Sequence, residues 1–170
     1  MTDPRPFLEL NRSGKLLLLE SATADAADVA SGWADAGFAV RVLRGHKMRD
    51  LNALFNEVAA ALQFPYYFGE NWPAFDECLS DLQWLPRHPG AVLLIMDAQE
   101  VLRDAPIELR VLVRALSDAT KTYAKPIELG EWWDRPAIPF HIVLQTTSEE
   151  ARSLESRWRA LGGDLDRVGA

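Results

Sequence analysis

The sequence predicts an α/β domain, with a small, mainly parallel β-sheet packed against helices. Three observations lead there. Short apolar runs alternate with stretches whose apolar residues recur every three or four positions, the order expected when each strand is followed by a crossover helix. One run, Ala91 to Met96, is apolar throughout, as a strand covered on both faces requires. At 170 residues and 48% hydrophobic content, the chain is long enough to bury one sizeable core.

Residues 1 to 14 are polar, with two prolines, and read as an irregular lead-in. Leu16 to Glu20 is a short apolar run and predicts a buried strand. Ser21 or Thr23 is the expected cap of a helix from Ala24 to Ala36, which Gly37 stops. Phe38 to Leu43 is a second strand, and Arg44-Gly45-His46-Lys47 turns the chain. Asp50 caps a helix to Leu62, with Leu51, Leu54, Phe55, Val58 and Leu62 on one face. Pro65 ends it.

The next helix starts at Asn71, a good capping residue, with Pro73 in the tolerated first turn. Its apolar stripe is Trp72, Phe75, Leu79 and Leu82; Pro73, Glu77, Asp81 and Trp84 fall on another, with Asp76 and Ser80 beside it. Leu85 to Gly90 is a proline-rich loop before the strand at 91–96. Ile107 to Thr122 predicts a helix. Residues 125 to 139 form a proline-rich insertion containing Trp132-Trp133, which either caps the end of the sheet or extends a binding face. Phe140 to Thr146 is the last strand expected, and Ser148 caps a final helix to Leu161.

The formal net charge is −7 and the pI about 5.0. An acidic surface is repelled by phosphate backbones and anionic lipid, so neither nucleic acid nor membrane is expected as a partner, and a cationic protein is. The single cysteine, Cys78, excludes an intrachain disulfide and fits a reducing, cytoplasmic setting. The N-terminus lacks the basic-then-apolar pattern of a signal peptide.

Motifs for catalysis are missing. His46, His88 and His141 fall on a turn, a loop and a strand, without zinc-ligand spacing. Cys78 borders an apolar stripe with no base in reach and reads as an inert thiol. No Gly-x-Gly-x-x-Gly follows a strand; Gly14-Lys15 precedes one and lacks the rest of a phosphate loop. The chain is therefore expected to hold no metal or other cofactor and to catalyse nothing. A metal-dependent hydrolase built on Asp76, Glu77 and Asp81 is the weakest alternative.

One window does stand out. From Asp50 to Pro86 there is no lysine or arginine, while Asp50, Glu57, Glu70, Asp76, Glu77 and Asp81 all fall within it. Tyr66, Tyr67 and Phe68 precede the acidic helix and cannot all point inward from one loop. Gly69 is expected to supply the positive φ that turns the chain into the helix. Clustered rings beside one sign of charge describe a binding face.

The run Phe64-Pro65-Tyr66-Tyr67-Phe68-Gly69-Glu70-Asn71-Trp72, followed by Ala74-Phe75, Cys78-Leu79 and Asp81-Leu82, resembles the barstar family, inhibitors of barnase-type microbial ribonucleases. The resemblance extends more weakly over residues 38 to 146. It implies a barstar-like domain at 38–170, preceded at 1–37 by an extra N-terminal β-α unit, the two forming one compact body. It further implies that the loop and helix plug a cationic ribonuclease, of barnase type or a toxin's nuclease domain, with a carboxylate standing in for a substrate phosphate. The protein would then serve in toxin immunity. The implied protein-binding residues are Tyr67, Phe68, Gly69, Asn71, Trp72, Pro73, Asp76, Glu77 and Ser80. Glu77 stands where the family has its principal aspartate, Pro73 where it has another acid, and Asp118 is nearest to an acid on the later helix. An interaction module on the same fold, with a partner other than a nuclease, is the alternative.

Overall fold

Five strands form one all-parallel sheet in the computed structural model, which describes residues 14–83 and 90–168. Most of the expected lead-in, Trp84, His88 and most of the proline-rich loop lie outside the described residues. In chain order the elements are β1 (Leu16–Glu20), α1 (Thr23–Asp35), β2 (Ala39–Arg44), α2 (Leu51–Leu62), α3 (Trp72–Asp81), β3 (Ala91–Met96), α4 (Leu109–Tyr123), β4 (Phe140–Thr146), α5 (Ser148–Ala160) and β5 (Leu165–Val168). Their order across the sheet is β2-β3-β4-β1-β5.

This order explains the layering. The chain first runs from β1 past two places to β2, then returns through β3 and β4 to β5. Right-handed crossovers taken in opposite directions put their helices on opposite faces. Accordingly, α1 buries Ala26, Ala30 and Trp33 against Leu17, Leu19, Val92, Leu94 and Val143. The helices α2 to α5 cover the other face, where Leu16, Leu18, Leu93, Ile95, Ile142 and Leu144 point. The alternation within Leu16 to Leu19 thus feeds two cores, and the result is three layers.

Two features of the sheet were not foreseen. The N-terminal strand β1 lies inside it, Leu16 pairing with both Ile142 and Leu165. And β5 follows the last helix. It escapes a periodicity reading because it has four residues, two of them charged. Its Leu165 is buried, while Asp166 and Arg167 meet Lys15 at 3.2 Å, Glu20 at 2.8 Å and Glu155 at 2.7 Å across the edge.

The caps divide. Asp50 accepts from the Ala53 N–H at 2.9 Å and Asn71 from the Ala74 N–H at 2.9 Å, as expected. At α1 the cap position is Ala22, and at α5 it is Thr147; neither makes a side-chain cap, and Ser148 is the first helical residue. Ser21 instead prolongs the β1 pairing, its N–H donating to Thr146 O at 3.0 Å. No helix among the described residues is long and apolar enough to cross a membrane.

Candidate functional site

The loop between α2 and α3 is fixed from below by five rings. Phe55, at the buried face of α2, meets Phe68 at 5.8 Å, Trp72 at 5.2 Å and Phe75 at 5.9 Å between centroids. Phe64 meets Phe68 at 5.1 Å and Phe75 at 6.1 Å. All but the tilted Phe55–Phe75 pair are edge-on, and such aromatic pairs contribute about 0.5–1.5 kcal/mol each beyond their burial. The Trp72 Nε1–H also donates to Glu108 Oε2 at 2.8 Å, tying the start of α3 to the turn before α4.

Among the site residues expected from the sequence, Phe68 and Trp72 are therefore partly buried supports of the loop, packed on the core. Tyr67 is 68% exposed. Gly69, Asn71, Pro73, Asp76, Glu77 and Ser80 are all exposed. Tyr66, absent from that set, is wholly exposed and stands edge-on to Tyr67 at 5.6 Å. The requirement that not all three rings of Tyr66, Tyr67 and Phe68 face inward is met by both tyrosines facing out. Helix periodicity carries the surface onward from Pro73 through Asp76 and Glu77 to Ser80 and Asp81.

The turn itself is made differently from expectation. The left-handed residue is Glu70, at φ 49°, and Gly69 is not in that region. What Gly69 supplies is room. A Cβ there would lie 2.9 Å from Asn71 Nδ2, which donates to Gly69 O at 3.0 Å while Asn71 Oδ1 caps the helix.

Charge is also rearranged in space. Glu57, counted in the acidic window, is buried and held by Arg44. The guanidinium donates to its two oxygens at 2.8 Å each, and the Arg44 backbone N–H adds a bond of 3.0 Å. These hydrogen bonds hold the Glu57 carboxyl below its ordinary value. Asp50 is occupied as a cap. The acids facing water on this element are Glu70, Asp76, Glu77 and Asp81, and Glu77 and Asp81 lie toward the C-terminal end of α3. The helix dipole opposes Asp81 in the last turn, at about 0.3–1 kcal/mol.

The neighbouring helix α4 adds to the face. Partial burial first, and the Asp118 carboxylate second, push the Asp76 carboxyl up, while Arg114 pulls it partly back. Arg114 also stands 3.7 Å from Asp118. So the gap in basic residues along the sequence is not complete on the surface, where α4 brings one beside the acids. Sequence separation hid this, because α4 begins far along the chain from α3.

The Cys78 thiol is buried and is pushed up by that burial, then by Glu77 and Asp81, away from the nucleophilic thiolate. His46 stands 3.6 Å from Asp97, and His141 is buried in β4. Among the described residues no group of three His, Cys, Asp or Glu is arranged to hold a metal ion.

The model of the family described as Barstar (barnase inhibitor) matches residues 38–145. No curated protein matches the chain. Solved structures share its architecture. Cdc6p from Pyrobaculum aerophilum superposes with a TM-score of 0.54 at 19% identity, over 91% of this chain and 38% of its own. The Aeropyrum pernix ORC2 protein gives 0.54 at 13% identity, over 97% of this chain and 45% of its own. A Drosophila ORC structure bound to AT-rich DNA and Cdc6 gives 0.51 at 12%, over 96% and 51%. The chain thus spans about half or less of each. At such identities the likeness is one of fold alone.

Proposed function

We propose, from the premise that this chain belongs to the barstar family, that it is an inhibitor which binds a cationic microbial ribonuclease and occludes its active site. The observation that carries the reading is the rigid aromatic-acidic face. Tyr66 and Tyr67 stand out from a ring-packed loop, and Asp76, Glu77 and Ser80 continue the same surface along α3. A ribonuclease must be cationic where it holds RNA, so an acidic face is steered to that site and competes with phosphate there. Tyr67, Gly69, Asn71, Pro73, Asp76, Glu77 and Ser80 form the contact in this reading. Phe68 and Trp72 act beneath it by holding the loop in its bound shape, which lowers the ordering cost of association.

Glu77 takes the central place. It is exposed in the free protein, and its longer side chain reaches one methylene further than aspartate. The protein performs no chemistry of its own in this account and acts in the cytoplasm as an immunity factor. Neither β-α turn at the middle of the sheet carries the glycine-rich phosphate loop that nucleotide chemistry on a parallel sheet uses.

The test is inhibition of RNA cleavage by barnase and other barnase-type ribonucleases. Glu77→Gln is expected to weaken inhibition by about thirtyfold or more, the scale of an interface hot spot. Asp28→Asn, on α1 across the sheet, is expected to leave it unchanged. Equal inhibition by wild type and Glu77→Gln would refute the α3 face. A second reading, that the face binds a cationic protein other than a nuclease, is favoured by Pro73, which removes a charge from the first turn.

A further inference from the structure

Residues 125 to 139, between α4 and β4, leave both tryptophans facing water. They form a small hairpin that holds Trp132 82% exposed and Trp133 41% exposed, edge-on to each other at 5.4 Å. Leu129, in the same hairpin, is 72% exposed. Contiguous apolar surface of this kind in water marks a contact site more often than a scaffold.

The backbone that carries these rings is held by several bonds. Ile127 and Arg135 exchange backbone hydrogen bonds of 2.8 and 3.1 Å. The Asp134 carboxylate accepts from the N–H groups of Leu129 and Gly130 at 3.0 and 2.7 Å, closing the turn. Arg135 donates to Thr122 O and Lys125 O at the end of α4 and lies 4.7 Å over the Tyr123 ring. Tyr123 in turn donates its hydroxyl to Leu79 O of α3 at 3.1 Å. Tyr123 therefore joins the base of the hairpin to the C-terminal end of the acidic helix.

We infer that the Trp132–Trp133 hairpin is a second contact for the same cationic ribonuclease that α3 engages, lengthening one interface beyond the barstar-type loop and helix. This rests on the function proposed above. Two observations select that occupant. The buried Tyr123 ties the base of the hairpin to α3, and the hairpin's exposed acids Glu128 and Glu131 flank the rings with the sign of charge that α3 carries. Tryptophan is enriched among interface anchors, and a backbone already held in place lowers the ordering cost of binding.

The experiment measures affinity for barnase and other barnase-type ribonucleases by titration calorimetry, with wild type, Trp132→Ala/Trp133→Ala, Glu128→Lys/Glu131→Lys and Glu77→Gln. Thermal unfolding of each variant checks that the fold is kept, as truncating exposed rings removes no core. The double tryptophan variant is expected to lose about thirtyfold or more in affinity, and the double lysine variant, followed also by stopped-flow mixing, to associate more slowly and with weaker salt dependence. Wild-type affinity in the tryptophan variant, beside weakened Glu77→Gln, would overturn the hairpin's role and leave the α3 reading standing. The reverse pattern would retain the hairpin and refute α3. Absence of wild-type binding to every ribonuclease tested would overturn both. Self-association of the free protein that the tryptophan variant abolishes, without change in ribonuclease affinity, would assign the rings to a second copy and overturn the inference.

Discussion

Replacing Glu57 by glutamine removes one charge from a pair whose three hydrogen bonds span 2.8 to 3.0 Å. The carboxylate is buried, but the Arg44 side chain is 57% exposed and can turn to water when its partner is neutral. The penalty of a stranded buried cation therefore does not arise, and what is lost is the charge-assisted part of the bonds. That is worth about 2 kcal/mol. For a chain of this length, each kcal/mol moves the melting temperature by about 2–4 °C, so a fall of about 4–8 °C is expected near neutral pH. The sign with pH follows from the direction of the shift. Glu57 titrates lower in the fold than in the unfolded chain. Its contribution is then complete above about pH 4.3 and is lost as pH falls through the folded value. Calorimetric melting of wild type and Glu57→Gln at neutral and strongly acid pH should show a gap that narrows in acid. Ribonuclease affinity of the folded variant should be unchanged. Glu77→Gln should do the opposite, melting within about 0.5 kcal/mol of wild type while losing affinity. An unaltered melting temperature for Glu57→Gln at neutral pH, or a gap as wide in acid, would refute the assignment of this acid to the fold.

Two glycines should respond in opposite directions to alanine. At Gly45 the new Cβ would lie 2.2 Å from Asp97 O and 2.5 Å from Met96 O, both backbone, so β2 and β3 must part; urea unfolding should show a loss of about 3 kcal/mol or more. At Gly32, in α1, nothing lies within 4 Å, and alanine should stabilise by about 0.5–1 kcal/mol. The raised Asp76 carboxyl makes a further prediction. A cationic partner binds its ionised form, so complex formation should release protons, and affinity should fall as pH is lowered through its titration. Asp118→Asn removes a repulsion that raises it and should move that fall to lower pH; calorimetry in buffers of differing ionisation enthalpy reads both effects.

Much of the α2-loop-α3 unit was legible because its rules are local. Asp50 and Asn71 are caps three residues ahead of the N–H groups they satisfy, and the stripe Phe75, Leu79, Leu82 is buried as its spacing demands. What escaped depends on the third dimension. The pairing of Glu57 with Arg44 joins two elements and removes an acid from the face to which its place in the sequence assigns it. Glu70 adopts the left-handed turn beside a glycine that would do so more cheaply, because Gly69 is needed for the Asn71 side chain. The place of β1 is set by partners more than a hundred residues later, and no local pattern encodes that. Arg114 and Asp118 reach the site through helix packing alone.

The interior place of β1 has a consequence in time. Leu16 can pair only with Ile142 and Leu165, so on a ribosome adding roughly 5–20 residues per second it waits about 6–25 s for its first neighbour. Throughout that interval its four leucines have no sheet to enter. The strands β2, β3 and β4, with the helices between them, are complete in the growing chain before β5 is made. Synthesis thus shapes the tyrosine loop and acidic helix first, and β1, made before them, finds its place after them.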